Sequence, residues 1–66
     1  MQIRLNGESR EFNAPQTVTS LLDVTGFGGR RVAVEVNREI VPKSRHSEHA
    51  LADGDQVEII QAMGGG

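Results

Sequence analysis

The sequence predicts an α+β domain: a mixed five-stranded sheet, ββαβββ in chain order, with one short helix packed on one face. Three observations carry this. The runs Gln2-Ile3-Arg4-Leu5, Val32-Ala33-Val34-Glu35-Val36 and Gln56-Val57-Glu58-Ile59 alternate polar or small residues with larger apolar ones, the period of strands that bury one face. A single stretch between Thr17 and Gly26 has helical spacing instead, with Val18, Leu21 and Leu22 at i, i+3 and i+4. Turn formers separate these runs, at Asn6-Gly7, Asn37-Arg38 and Asp53-Gly54-Asp55.

Each element follows from its own chemistry. Asn6-Gly7 tolerates two positive φ angles and closes a tight hairpin between Gln2–Leu5 and Ser9–Phe12, with Phe12 turned toward the core. Pro15 cannot donate to a ladder and ends the second strand's reach. Thr17 is the expected helix N-cap, its hydroxyl accepting from an orphan amide of the first turn. Gly26 is the expected stop, where a left-handed conformation carries no Cβ penalty. So short a helix does not persist alone, and its stripe must pack on a sheet. Phe27-Gly28-Gly29-Arg30-Arg31 is a connector; a phosphate-binding fingerprint is missing from it.

Val32–Val36 is an inner strand with three valines on one face, and Ile40-Val41 is a brief strand stopped by Pro42, as befits an edge. Lys43 to Ala50 reads as a solvated turn, and His46 and His49 within it as surface residues in preference to a metal pair. Leu51 plugs the bottom of the core. Asp53-Gly54-Asp55 lacks the other ligands of a calcium loop and reads as a turn with Gly54 at positive φ. The last strand puts Val57 and Ile59 on one face and Glu58 and Ile60 on the other.

The helix covers one face, bringing Ile3, Leu5, Phe12, Val32, Val34, Val36, Val57 and Ile59 against Val18, Leu21 and Leu22. First and last strands lie side by side and parallel, because the helix and middle strands supply the crossover between them. That is the ubiquitin-like β-grasp arrangement. The open face then shows Gln2, Arg4, Ala33, Glu35, Glu58 and Ile60. Ile60, next to Ala62 and Met63, is the candidate docking patch, weighed against the ordinary occurrence of a lone exposed isoleucine.

Composition narrows the function. A 66-residue chain buries roughly 60% of its unfolded surface, which leaves no room for a deep enclosed catalytic pocket. With no cysteine there is no disulfide, thiolate zinc site or side-chain thiol, and a cytoplasmic protein is expected. No apolar leader or membrane-length run is present, so neither export nor a membrane partner is expected. The net charge is −2 and Arg30-Arg31 is the only adjacent basic pair, which argues against nucleic acid, as does the lack of Trp and Tyr for base stacking.

The chain closes on Gly64-Gly65-Gly66. We expect a β-grasp domain over residues 1–61 and a flexible glycine-rich tail over 62–66. Glycines at a chain end contribute nothing to folding, and a frayed terminus or cloning remnant is the plain alternative. A backbone without Cβ atoms is also thin enough to enter a narrow channel, and its α-carboxylate is ionised at neutral pH. That combination suits presentation to another protein's active site.

Val34-Glu35-Val36-Asn37, Ile40-Val41-Pro42, Leu51-Ala52-Asp53-Gly54-Asp55-Gln56-Val57-Glu58-Ile59 and the terminal glycines together resemble the ThiS family of sulfur-carrier proteins of thiamin biosynthesis. The resemblance covers nearly the whole chain. Two positions depart from the family's commonest pattern: a third final glycine, and Arg38 where glycine often follows the asparagine, which leaves the turn type open.

The resemblance implies a carrier that is the substrate of its partners and not itself an enzyme. A ThiF-type adenylating enzyme using ATP and magnesium would activate Gly66. A cysteine-derived sulfur donor would convert it to a thiocarboxylate, and a ThiG-type thiazole synthase would take the sulfur. Gly64 and Gly65 would thread the activating enzyme's channel, and Ile60, Ala62 and Met63 would dock. No stably bound cofactor or metal is expected. The alternatives are a carrier feeding molybdopterin synthase or another acceptor, and a ubiquitin-like modifier or interaction module.

Overall fold

The computed structural model describes residues 1–61. The expectations for Ala62, Met63, Gly64, Gly65 and Gly66, and for a tail beginning at 62, lie outside the described residues. Strands β1 (Gln2–Leu5) and β2 (Glu8–Glu11) are followed by helix α1 (Val18–Val24). Then come β3 (Val32–Val36), β4 (Glu39–Val41), a 3₁₀ turn at Lys43–Arg45, and β5 (Gln56–Gln61). The sheet order is β2-β1-β5-β3-β4, with β1 and β5 parallel and the other pairs antiparallel. The strand nearest the chain's end is therefore the sheet's centre.

Both hairpins turn on two residues at positive φ. Asn6 (50°) and Gly7 (84°) make one, Asn37 (52°) and Arg38 (69°) the other. These are type I′ turns, whose twist matches that of the strands they join. The Asn37-Arg38 turn thus has the geometry of an Asn-Gly turn, with an arginine held where glycine carries no penalty.

The helix begins as its sequence predicts. Thr17 Oγ1 accepts from Ser20 N at 3.1 Å, and Ser20 Oγ accepts from Thr17 N at 2.9 Å, a reciprocal capping box. Gly26 (φ 90°) follows the last turn in the left-handed region. Val18, Leu21 and Leu22 are buried. They meet Ile3, Leu5, Val34, Val36, Val57 and Ile59 from the sheet and Leu51 from the loop below, in one core.

Phe12, just beyond β2, and Val32, at the start of β3, are half-buried and pack against this core as expected. The four residues of β2 are all exposed. Two expectations need correction. Val41 joins the core although the sequence reading placed only an edge strand there, because its neighbour Val34 is fully enclosed.

The second concerns Lys43–Ala50, which is not a free surface turn. It folds back over the start of α1, where His49 O accepts from Val18 N and His46 O from Thr19 N, each at 3.0 Å. Those amides are orphans that a helix's first turn must satisfy from outside. His46 is buried, 8% exposed, with its Nε2 3.0 Å from Val41 O, which fixes the tautomer that donates from Nε2.

Candidate functional site

What can be presented to a partner depends on how β5 is held. On one side β3 pairs with it along its whole length, Val36 opposite Val57 through to Val32 opposite Gln61. On the other, β1 pairs with only Gln56 and Val57 before the chain turns away at Asn6. The Asn6 side chain then takes over the strand's role: Oδ1 accepts from Ile59 N at 2.8 Å, and Nδ2 reaches Ile59 O at 3.4 Å. At the other end Asn37 Oδ1 accepts from Gln56 N, and Asn37 Nδ2 donates to Asp55 Oδ1, both at 3.0 Å. One asparagine from each hairpin turn therefore holds β5, Asn37 at its first residue and Asn6 at Ile59. Beyond Ile59 the strand is paired by β3, at Ala33 and Val32, as far as Gln61.

The turn leading into it is equally well tied. Gly54 is at φ 88°, Asp55 Oδ2 accepts from Ala52 N at 2.8 Å, and Asp53 Oδ1 accepts from Gln2 N at 2.6 Å. Each aspartate thus spends one oxygen on a backbone amide, that of Asp53 on a distant strand, as a structural turn does.

Ile60 is 47% exposed and sits opposite Ala33 on the face the helix leaves open. Ile40, 63% exposed on β4, lies opposite Glu35 on the same face, so the apolar surface is wider than the sequence reading allowed. The alternation in Glu39-Ile40-Val41 held that signal, once Val41 is seen to point inward. Glu35 and Glu58 face each other directly between these apolar residues. Like charges opposed across a ladder repel slightly, a cost tolerated here near solvent.

A second feature comes from residues far apart in sequence. The loop after α1, the start of β3, the 3₁₀ turn and the last two residues of β5 border an open groove of about 610 Å³. Arg30 and Arg31 line it, which gives the one basic pair in the chain a place beside the exit of β5. His46 lines it as well. Among the described residues no three His, Asp or Glu side chains gather to hold a metal ion, and no helix is long and apolar enough to cross a membrane.

A mixed five-stranded sheet in the order β2-β1-β5-β3-β4, with one helix packed on one face, defines the class as a ubiquitin-like β-grasp domain. The chain belongs to the ThiS family, whose model matches residues 3–66. It is 35% identical over 66 residues to the sulfur carrier protein ThiS of Escherichia coli, with each chain covered completely. It superposes on the crystal structure of the thiamine biosynthesis protein ThiS from Geobacter metallireducens with a TM-score of 0.87, at 30% identity and full coverage of both chains. It is also 50% identical to part of a thiazole synthase from Paramagnetospirillum magneticum. There the whole of this chain spans only 20% of the relative's length.

Proposed function

We propose that the protein carries sulfur for thiamin biosynthesis on its last residue, and that it acts as a substrate of partner enzymes and not as a catalyst. A carboxylate is a poor electrophile, because its charge is delocalised and its leaving group would be oxide. Attack of the Gly66 carboxylate on the α-phosphorus of ATP, magnesium-bound in a ThiF-type partner, releases pyrophosphate and leaves an acyl-adenylate. A cysteine-derived sulfur nucleophile then displaces AMP, and the product, once any donor link is reduced away, is a thiocarboxylate. Its sulfur is nucleophilic enough to be delivered to a ThiG-type thiazole synthase. Each bond-making group belongs to a partner. That suits a body without cysteine, and it suits a cytoplasmic setting.

The observation that supports this reading most is the family match running through to Gly66, on a domain whose central strand ends five residues earlier. The relative named thiazole synthase, which contains a stretch similar to all of this chain, favours the thiazole route over a molybdopterin-type acceptor. Gly64 and Gly65 serve as the thin segment before the reacting carboxylate. Ile60, with Ala62 and Met63, serves as part of the docking surface.

Two measurements test the proposal. Intact-mass spectrometry of chain purified from sulfur-replete cells is expected to find one oxygen replaced by sulfur, localised to Gly66 by fragmentation. Gly65→Ala is expected to keep the parent's thermal stability and lose adenylation by the activating enzyme. Equal adenylation rates would remove the thin-segment argument, and a chain attached to lysines through Gly66 would point to a protein modifier instead.

A further inference from the structure

The groove beside the end of β5 has two kinds of wall. Leu22, Phe27 and Val32 give it apolar surface, while Arg30, Arg31 and Lys43 give it positive charge, against a single acidic residue, Asp23. The chain as a whole carries a net charge of −2, so this concentration of cations runs against its average. All three cationic side chains are exposed. Among the described residues the ion pairs are Met1 N with Glu11 and Arg10 with Glu8, and neither involves the groove.

Charge placed around an apolar floor without internal neutralisation is complementary to an acidic ligand that also carries an apolar group. The guanidinium fork matches a carboxylate in geometry as well as in sign. Position adds a further point. Gln61 lines the same groove, and the five residues after it can span at most about 18 Å. A partner seated in the groove would have its reacting centre within a short reach of Gly66.

We propose that this groove docks an acidic segment of a partner protein, with carboxylates on Arg30, Arg31 and Lys43 and an apolar side chain over Leu22, Phe27 and Val32. The proposal rests on the carrier reading for the identity of that partner, which is an enzyme that works on Gly66. The cationic rim speeds encounter and sets the orientation of approach, and the apolar floor slows release.

The test is calorimetric binding of the full chain to the purified adenylating enzyme and to the purified thiazole synthase, at 50 and 500 mM NaCl. R30E/R31E/K43E, with R30Q/R31Q/K43Q as a milder set, is compared with R10E/R38E, which reverses charge away from the groove. We expect the groove variants to lose about tenfold or more in affinity for at least one enzyme at low salt, with the difference shrinking at high salt. R10E/R38E is expected to bind like the parent. Groove variants that bind as tightly as the parent, or an equal loss in R10E/R38E, would overturn the proposal.

If the parent binds neither enzyme, the carrier reading fails, and the groove is judged separately. The ¹⁵N-labelled chain is then titrated with a synthetic peptide alternating glutamate and leucine, and with one alternating lysine and leucine. Shifts confined to residues 27–33, Lys43 and Gln61, with the glutamate peptide alone, would support an acidic ligand. Absence of such shifts, or groove signals that instead move when residues 62–66 are removed or when the chain is concentrated, would assign the groove to the chain's own end or to a second copy and overturn the proposal.

Discussion

Replacing Asn6 with glycine isolates the side-chain bridge that stands in for β1 along the second half of β5. Glycine accepts the φ of 50° at this position without strain, so the turn geometry is preserved, and besides the lost side chain the change adds only about 0.5–1 kcal/mol of unfolded-state freedom. The loss is the 2.8 Å hydrogen bond from Ile59 N, since the 3.4 Å contact to Ile59 O is too long to contribute much. Ile59 is a core residue, 6% exposed, and its orphaned amide costs about 1–3 kcal/mol unless water reaches it. A domain of this size is held by only about 3–10 kcal/mol. Asn6→Gly should therefore lower Tm markedly, by about 4–8 °C for each kcal/mol lost. Urea unfolding gives the free energy, and amide hydrogen exchange shows whether Ile59 is the group exposed. A variant as stable as the parent, with Ile59 equally protected, would refute the idea that a turn side chain secures the carrier strand.

The mirror experiment uses the other hairpin. Arg38→Gly relieves about 1–2 kcal/mol of left-handed strain while adding about 0.5–1 kcal/mol of unfolded-state freedom, so a net gain of up to about 1.5 kcal/mol in urea unfolding is expected. Leu21→Ala empties a fully enclosed site at the centre of the helix's stripe and should cost about 2–5 kcal/mol, enough to leave a measurable unfolded fraction by circular dichroism at 37 °C. Ile60→Glu changes an exposed residue, so its unfolding midpoint should stay within about 0.5 kcal/mol of the parent. Its affinity for the adenylating enzyme should nonetheless fall, and unchanged calorimetric binding would remove Ile60 from the docking surface.

Much of this architecture is legible locally. Alternation in Val32–Val36 and Gln56–Ile59, the stripe of Val18, Leu21 and Leu22, and the asparagine turns report how each segment buries one face, and neighbours in sequence decide that. The parallel pairing of β1 with β5 followed from the crossover those elements impose. What escaped was decided between segments. His46 reads as a surface histidine because nothing adjacent shows that residues 43–50 fold over the helix start, satisfy its amides and enclose the imidazole. Val41 joins the core from a strand expected only as an edge, and Ile40 widens the open apolar face, for the same reason. The groove draws on positions 19–33, 43–46 and 60–61, and the Arg30-Arg31 pair was the one hint of it in the linear chain.

The placement of β5 also bears on how such a molecule is made. Synthesis proceeds from β1 onward, so the strand that must sit between two others is the last to emerge. Until it arrives β1 and β3 have no bridge, and the two hairpins cannot join into one sheet. A chain interrupted before β5 would leave β1 and β3 without the strand that joins them, a poorly folded target for proteolysis.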